Sequence, residues 1–243
     1  MGAKTKISWA ESTWNPVTGC LGVCEYCYAR RMVRRFAKGY KESGELHSDY
    51  KNPSIEKGPY PYGFDPTLRI DRLAALKAWR KPRNVFVCSM ADLFGVWIPD
   101  SWIQDVFEAC AAAPQHRYMF LTKHPSRYKD LYGRGFLPRS ENHWYGATIT
   151  KGTAFIELAS NYNKYVSIEP IIGSVEFLSP NICPPPNWII VGAMTGPQAR
   201  RYPVKREWIE SIADACRKRN IPLFMKGSLR NLMGEKLIQE FPW

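Results

Sequence analysis

Short apolar runs recur along the chain, and stretches with a helical spacing of apolar residues lie between them. The runs are Asn84–Cys88, Arg117–Thr122, His143–Ile149, Tyr165–Ile168, Trp188–Val191 and Pro222–Met225. They are rich in Val, Ile, Phe and Tyr and nearly continuous, as strands buried on both faces of a parallel sheet are. A further short strand is expected in Lys4–Trp9 or Pro16–Thr18. Helical patterns fill Tyr26–Ala37, Leu68–Trp79, Ser101–Ala113, Glu207–Lys218 and Leu229–Glu240. In the third, Ile103, Val106, Phe107 and Cys110 form a stripe, and Pro99-Asp100 supplies an entry signal with an acidic cap.

Repeated strand–helix alternation predicts a parallel α/β architecture. Six or seven such units in 243 residues suit an incomplete (β/α)6-type barrel. Active sites in barrels gather at the C-terminal strand ends, so the residues that close each strand are the informative ones. No repeat or boundary is visible, and one domain over 1–243 is expected. Within it, about 39–65 is polar and rich in Gly, Pro and Tyr; it reads as an insertion that covers the active-site mouth or as a surface loop.

Composition adds three bounds. No apolar run is long enough to cross a bilayer, so no membrane partner is expected. The segment Met1–Lys6 is polar, so no signal peptide is expected and the cytoplasm is the natural compartment. The formal net charge is +12, which favours a polyanionic partner. Basic residues group at Arg30, Arg31, Arg34, Arg35 and Lys38, at Arg200, Arg201, Lys205 and Arg206, and at Arg217, Lys218 and Arg219. The first two groups follow expected strand ends. DNA or another nucleic acid is therefore the expected partner, against the plainer reading of solvated helix faces.

The densest chemistry is Cys20, Cys24 and Cys27, spaced C-x3-C-x2-C. Thiolates at this density can hold an iron–sulfur cluster. Three local ligands leave one iron of a four-iron cluster open for a substrate or cofactor. A structural zinc site is the first alternative, but Cys24 to Cys27 is a lone C-x2-C without a second knuckle. Three unrelated buried thiols are the second. The other four of the seven cysteines are scattered, which does not suggest a disulfide scaffold.

At this triplet the chain resembles the radical S-adenosylmethionine (SAM) superfamily, whose signature lies on the loop after the first barrel strand. The resemblance implies a [4Fe-4S] cluster on Cys20, Cys24 and Cys27, with S-adenosyl-L-methionine on the open iron. It also implies an external one-electron reductant such as flavodoxin or ferredoxin, and a 5′-deoxyadenosyl radical that abstracts hydrogen. Ser89 and Asp92 match the position that receives the methionine amino group; helix capping is the other reading of Asp92. Lys123 matches a holder of the methionine carboxylate, against an ordinary exposed lysine. Thr148 and Thr150 are candidates for the ribose, against plain strand residues. Ser167 and Glu169 close the fifth strand, where a stranded carboxylate needs a partner such as a ribose hydroxyl, a substrate amine or an arginine. Gly192 allows close approach to adenine. His124 reads as a surface residue and Lys226 as another cation at the mouth.

Two narrower resemblances follow. Ile7-Ser8-Trp9, the run Thr13 to Cys20, Ser89 to Phe94, Leu121-Thr122-Lys123 and Ser167-Ile168-Glu169-Pro170 are similar to a phage-associated radical SAM family of poorly defined function. The chain departs from it at Gly192-Ala193-Met194-Thr195, where that family has a Gly-Gly-Glu-Ser-type run. Cys88 to Asp92 with Thr122-Lys123 is locally similar to the spore photoproduct lyase family, which implies Cys88 as a hydrogen-atom donor. A buried strand cysteine is the other reading. Together with charge and aromatic content, these resemblances imply action on a thymine-derived group in DNA, by hypermodification, rearrangement or repair. Tyr40, Tyr50, Tyr60 and Tyr62 would stack on an extruded base, or else pack the loop. Modification of a small molecule or peptide, and a non-catalytic metal-bearing nucleic-acid-binding module, are the competing readings.

Overall fold

The computed structural model describes residues 5–37, 39–48, 59–177 and 184–243, so Lys38, Tyr50 and Cys183 lie outside the described residues. The chain divides into two compact units, Met1–Arg127 and Tyr128–Trp243.

The first unit contains β1 (Ser12–Trp14), β2 (Val17–Thr18), α1 (Tyr28–Phe36), β3 (His47–Ser48), β4 (Thr67–Leu68), α2 (Ile70–Leu73), β5 (Asn84–Val87), α3 (Asp100–Ala111) and β6 (Arg117–Thr122). Strands β1, β5 and β6 pair in parallel, with Trp14 opposite Val87 and Val87 opposite Phe120. A small side sheet joins β2 antiparallel to β4 and β3 parallel to β4. Helix α3 buries Trp102, Ile103, Val106, Phe107 and Cys110, the stripe its sequence predicts. Its entry differs from expectation. Pro99 occupies the cap without a side-chain bond, and Asp100 is the first helical residue, paired with Arg127.

Helix α4 (Ser126–Gly133) leads into the second unit, with β7 (His143–Ile149), β8 (Gly152–Ala154), β9 (Asn163–Ile168), β10 (Val175–Phe177), β11 (Trp188–Val191), α5 (Arg206–Arg219), β12 (Leu223–Met225) and α6 (Arg230–Met233). Here β7, β9, β11 and β12 pair in parallel in chain order, and β8 pairs with β10. Every residue of β11 and β12 is buried, as strands covered on both faces must be. Helix α5 ends on Asn220 in the left-handed region, with Arg217, Lys218 and Arg219 in its last turn opposing the dipole. Seven parallel strands in chain order give the expected α/β class of an incomplete (β/α) barrel, with the cysteine loop after the first strand.

Three element boundaries differ from expectation. The first sheet strand is Ser12–Trp14, outside both expected windows, because its inward residues are Ser12 and Trp14 and no apolar run marks it. Val17–Thr18 is a strand but belongs to the side sheet. Leu68–Trp79 is not one helix: Thr67–Leu68 is strand, α2 buries nothing, and Ala74–Ala78 is a 3-10 turn around buried Leu76. Leu229–Glu240 is also broken. Gly234, at φ 56°, ends α6 and opens a 3-10 turn to Lys236, after which the chain runs extended, with Gln239 bridging antiparallel to Phe224. Phe241 and Trp243 then pack on Trp188 at 5.7 and 5.3 Å between ring centres.

Candidate metal centre and strand-end residues

The cysteine loop is tied down before any ligand is considered. Gly19 sits at φ +84°, and a Cβ there would fall 2.2 Å from the Asp65 carbonyl oxygen. Only glycine lets the chain pass this close. Gly19 N donates to Met90 O and Cys20 N to Phe64 O, both at 2.9 Å. Cys27 is the N-cap of α1; its Sγ accepts from Arg30 N at 3.3 Å. Cys20 Sγ accepts from Gly22 N, also at 3.3 Å. Cys20 and Cys27 rest against the buried cluster of Ala29, Val33, Phe64 and Met90.

Arg30 closes this arrangement. One guanidinium nitrogen donates to Cys20 O at 3.0 Å and Gly22 O at 3.3 Å, while the other pairs with Glu42. Its charge also lies 4.8 Å over the Phe64 ring. Grouped by sequence with the nucleic-acid cations, Arg30 instead braces the loop. Its place one turn past the capping Cys27 is the signal that could have separated it from Arg31, Arg34 and Arg35.

Cys20, Cys24 and Cys27 are each partly exposed. Burial pushes the Cys20 thiol up to about 11. Among the described residues, no three His, Cys, Asp or Glu side chains are drawn together into a ready-made metal site. The donor chemistry nonetheless fits an iron–sulfur cluster. The loop offers three soft sulfur ligands, and two of them already receive N–H bonds of the kind that stabilise thiolate ligands.

The turn after β5 lies against this loop. Gly19 forms a parallel bridge with Ala91. Cys88 takes φ 57°, a left-handed conformation that is uncommon for a residue with a Cβ. Its N–H donates to Trp14 O at 2.8 Å. The buried thiol is pushed up to about 12 by burial, so it stays protonated, and it is within electrostatic reach of Cys110 on α3. Asn15, not singled out for a role in the sequence, organises the turn: its Oδ1 accepts from Ser89 Oγ at 3.1 Å and Met90 N at 3.0 Å. Tyr28 Oη donates to Ser89 O. Asp92 is buried, and both its oxygens are engaged. Oδ1 accepts from Thr122 Oγ1 at 2.6 Å and Phe94 N at 3.2 Å, and Oδ2 accepts from Lys123 N at 2.9 Å. The carboxylate thus fastens the ends of β5 and β6 together and caps its own turn. Lys123 is exposed, with Nζ 5.9 Å from the Tyr26 ring centre. The structure therefore brings Ser89 and Asp92 to the cysteine loop.

In the second unit, Thr148 and Thr150 lie at the end of β7 and just beyond it, and Thr148 is opposite Ser167 of β9. Ser167 Oγ donates to Glu169 Oε2 at 3.1 Å, and Lys226 Nζ pairs with Glu169 Oε1 at 2.9 Å. Gly192 makes room for that pair: a Cβ would lie 2.7 Å from Glu169 Oε1 and 3.0 Å from Lys226 Cδ. The partner that the Glu169 carboxylate requires is thus a lysine two strands away in the sheet. Of the insertion tyrosines, the described Tyr40 and Tyr62 are engaged within their own loop, and Tyr60 lies near helix α1. Tyr40 Oη donates to Asp65 Oδ2 at 3.1 Å, Tyr62 stacks on His47 at 4.0 Å, and Tyr60 lies 6.3 Å from Phe36. Asp65 is the buried hub there. Burial alone would raise its pKa, but bonds from Ser43, Gly44 and Tyr40 outweigh it and hold the carboxyl below the usual range.

Among solved structures, the chain is similar to a spore photoproduct lyase mutant with bound AdoMet and dinucleoside spore photoproduct. That similarity has a TM-score of 0.45 and 13% identity, over 93% of this chain and 58% of that one. A spore photoproduct lyase complexed with dinucleoside spore photoproduct gives a TM-score of 0.44 and 15% identity over the same shares. The chain thus spans 58% of the length of these structures. No curated protein matches it. One family model matches residues 4–232, nearly the whole of both units, and by that match the chain belongs to the family described as protein of unknown function (DUF5131).

Proposed function

We propose that the chain is a radical SAM enzyme acting on a nucleobase-derived group, most simply a thymine-derived one, in DNA. The observation that carries this reading is the C-x3-C-x2-C loop, held in shape by Arg30 and docked on the turn that presents Ser89. When bound, a [4Fe-4S] cluster and S-adenosylmethionine would supply radical chemistry able to remove a hydrogen atom from an unactivated C–H bond.

The chain's own residues hold and orient. Cys20, Cys24 and Cys27 would ligate three irons and leave the fourth without a side chain. The Gly22 and Arg30 amides donate to the Cys20 and Cys27 sulfurs and hold them in place. Ser89, fixed by Asn15, and Lys123, an exposed point charge, are suited to the polar ends of a methionine moiety. The thiol of Cys88 stays protonated, the form a hydrogen donor needs. Thr148, Thr150, Ser167, Glu169 and Gly192 remain the candidates for the nucleoside end, with Lys226 holding Glu169 in position. Nucleic acid as substrate is supported by the net charge of +12 and the exposed Arg200 and Arg201 after β11. Among the described residues no helix is long and apolar enough to cross a membrane.

The test is anaerobic reconstitution with iron and sulfide, then assay of 5′-deoxyadenosine. Four irons per chain, SAM cleavage with dithionite, and deuterium transfer from labelled DNA into 5′-deoxyadenosine are expected. One zinc without cleavage identifies a metal-bearing binding module instead. Cleavage coupled to a small molecule or peptide, and insensitive to salt, removes the nucleic-acid substrate. Full product yield from Cys88→Ala removes the hydrogen donor.

A further inference from the structure

Segment 40–48 forms a strap attached mainly by polar bonds, with Lys41 to Leu46 exposed. Those bonds converge on two points. The first is Asp65, 2% exposed. Its carboxylate accepts from Tyr40 Oη, Ser43 N, Ser43 Oγ and Gly44 N at 2.8 to 3.1 Å, and His47 Nε2 lies 3.6 Å away. The second is Arg30 of α1, which pairs with Glu42.

Both points are also joined to the cysteine loop. Phe64 O accepts from Cys20 N at 2.9 Å, and the Asp65 carbonyl crowds Gly19. Arg30 is tied more closely. Its amide donates to Cys27 Sγ at 3.3 Å, and its guanidinium donates to Cys20 O and Gly22 O at 3.0 and 3.3 Å. Gly22 N in turn donates to Cys20 Sγ. A cation in the first turn of a helix faces the positive end of its dipole. Helix α1 has no acidic residue there, so Glu42, reached across the strap, supplies the missing negative charge and fixes where the guanidinium points. An exposed ion pair contributes little by itself. This one acts further, because two carbonyl bonds of the cysteine loop depend on the same guanidinium.

We propose that Glu42 is a positioning residue for the cysteine loop, acting through Arg30, so that closing the strap and loading the loop with a cluster favour each other. The loaded half of the proposal rests on the cluster reading. Coupling of this kind is reciprocal: what the strap contributes to cluster retention, the cluster returns to strap closure.

The experiment uses the full chain with Glu42→Ala, Glu42→Gln and Ser43→Ala. Alanine at 42 removes charge and acceptor, glutamine keeps an acceptor, and Ser43→Ala loosens the strap at Asp65. In the metal-free chain, alkylation of Cys20 by iodoacetamide is expected to run about fivefold faster in Glu42→Ala than in wild type, with Glu42→Gln between them. Cys24, outside the Arg30 bonds, should react as before, and buried Cys88 and Cys110 should stay unreactive, which separates this effect from general unfolding. After anaerobic reconstitution with iron and sulfide, loss of the visible cluster absorption to a chelator is expected to quicken about fivefold in Glu42→Ala and about twofold in Ser43→Ala. Loading the wild type is expected to slow hydrogen exchange at the Ser43 and Gly44 amides about fivefold, and to lose that effect in Glu42→Ala. Wild-type alkylation and retention in Glu42→Ala, retention unmoved by Ser43→Ala, or strap exchange indifferent to loading overturns the proposal. Failure of the wild type to take up iron and sulfide overturns the cluster reading instead, and the alkylation rates still decide whether Glu42 positions Cys20.

Discussion

Gly19 and Gly135 both take positive φ, at +84° and +74°, yet only Gly19 is crowded. A methyl group at Gly19 meets main-chain oxygen at 2.2 Å, whereas nothing lies within 4 Å of the Gly135 position. Gly135→Ala should therefore cost about 1 kcal/mol, the left-handed penalty alone. Gly19→Ala should cost about 2–5 kcal/mol, because the main chain must also move. Urea midpoints of the two variants check this. A second residue-scale prediction concerns His143, whose pKa burial pushes down to about 4 from an ordinary 6.5. The unfolded chain binds a proton there before the folded one does. Stability is then complete above about pH 6.5 and falls as pH drops toward 4, by up to about 1.4 kcal/mol per unit. His116, also lowered by burial, acts in the same sense. Asp65 acts lower: its contribution is present above the ordinary carboxyl range and is lost only as pH falls beneath it. His143→Phe should flatten the slope between pH 4 and 6.5 in acid-titrated unfolding.

At the scale of elements, the C-terminal tail carries an unexpected share of the packing. Trp188 Nε1 donates to Glu240 O at 2.9 Å, and Trp188, Phe224, Phe241 and Trp243 form a ring cluster with centres 5.1 to 6.1 Å apart. Truncation after Ile238 removes two of those rings and the Trp188 acceptor. A loss of about 3–5 kcal/mol is expected, with tryptophan emission shifted to the red. Where burial followed periodicity, the sequence was legible: β5, β6, β7, β11 and the stripe of α3 lie where their apolar runs lie. The first strand was not, because its buried Ser12 carries no hydrophobic signal. The tail was not, because Leu237, Ile238 and Phe241 fit a helical spacing while Gly234 breaks the backbone ahead of them. In the site, the cysteines announced themselves by spacing. Asn15, Arg30 and the Lys226 partner of Glu169 did not, since each depends on contacts between distant segments or on a carbonyl direction that no residue pattern encodes.

For the molecule as a whole, the net charge of +12 makes a prediction about salt. Affinity for a single-stranded oligonucleotide should fall at least about tenfold between roughly 50 and 200 mM salt. Arg200→Glu/Arg201→Glu should lower the logarithmic slope by about 1.4, the share of two single-strand phosphate contacts. Filter binding across a salt series measures both. One feature of the cysteine loop reaches further. Its course is kept by Met90, Phe64 and Arg30 through main-chain bonds, none of which involves iron. A zinc finger stripped of its metal collapses; this loop has no such reason to. On the cluster reading proposed above, losing the metal would leave these bonds in place, and the loop could be reloaded without the chain having to refold.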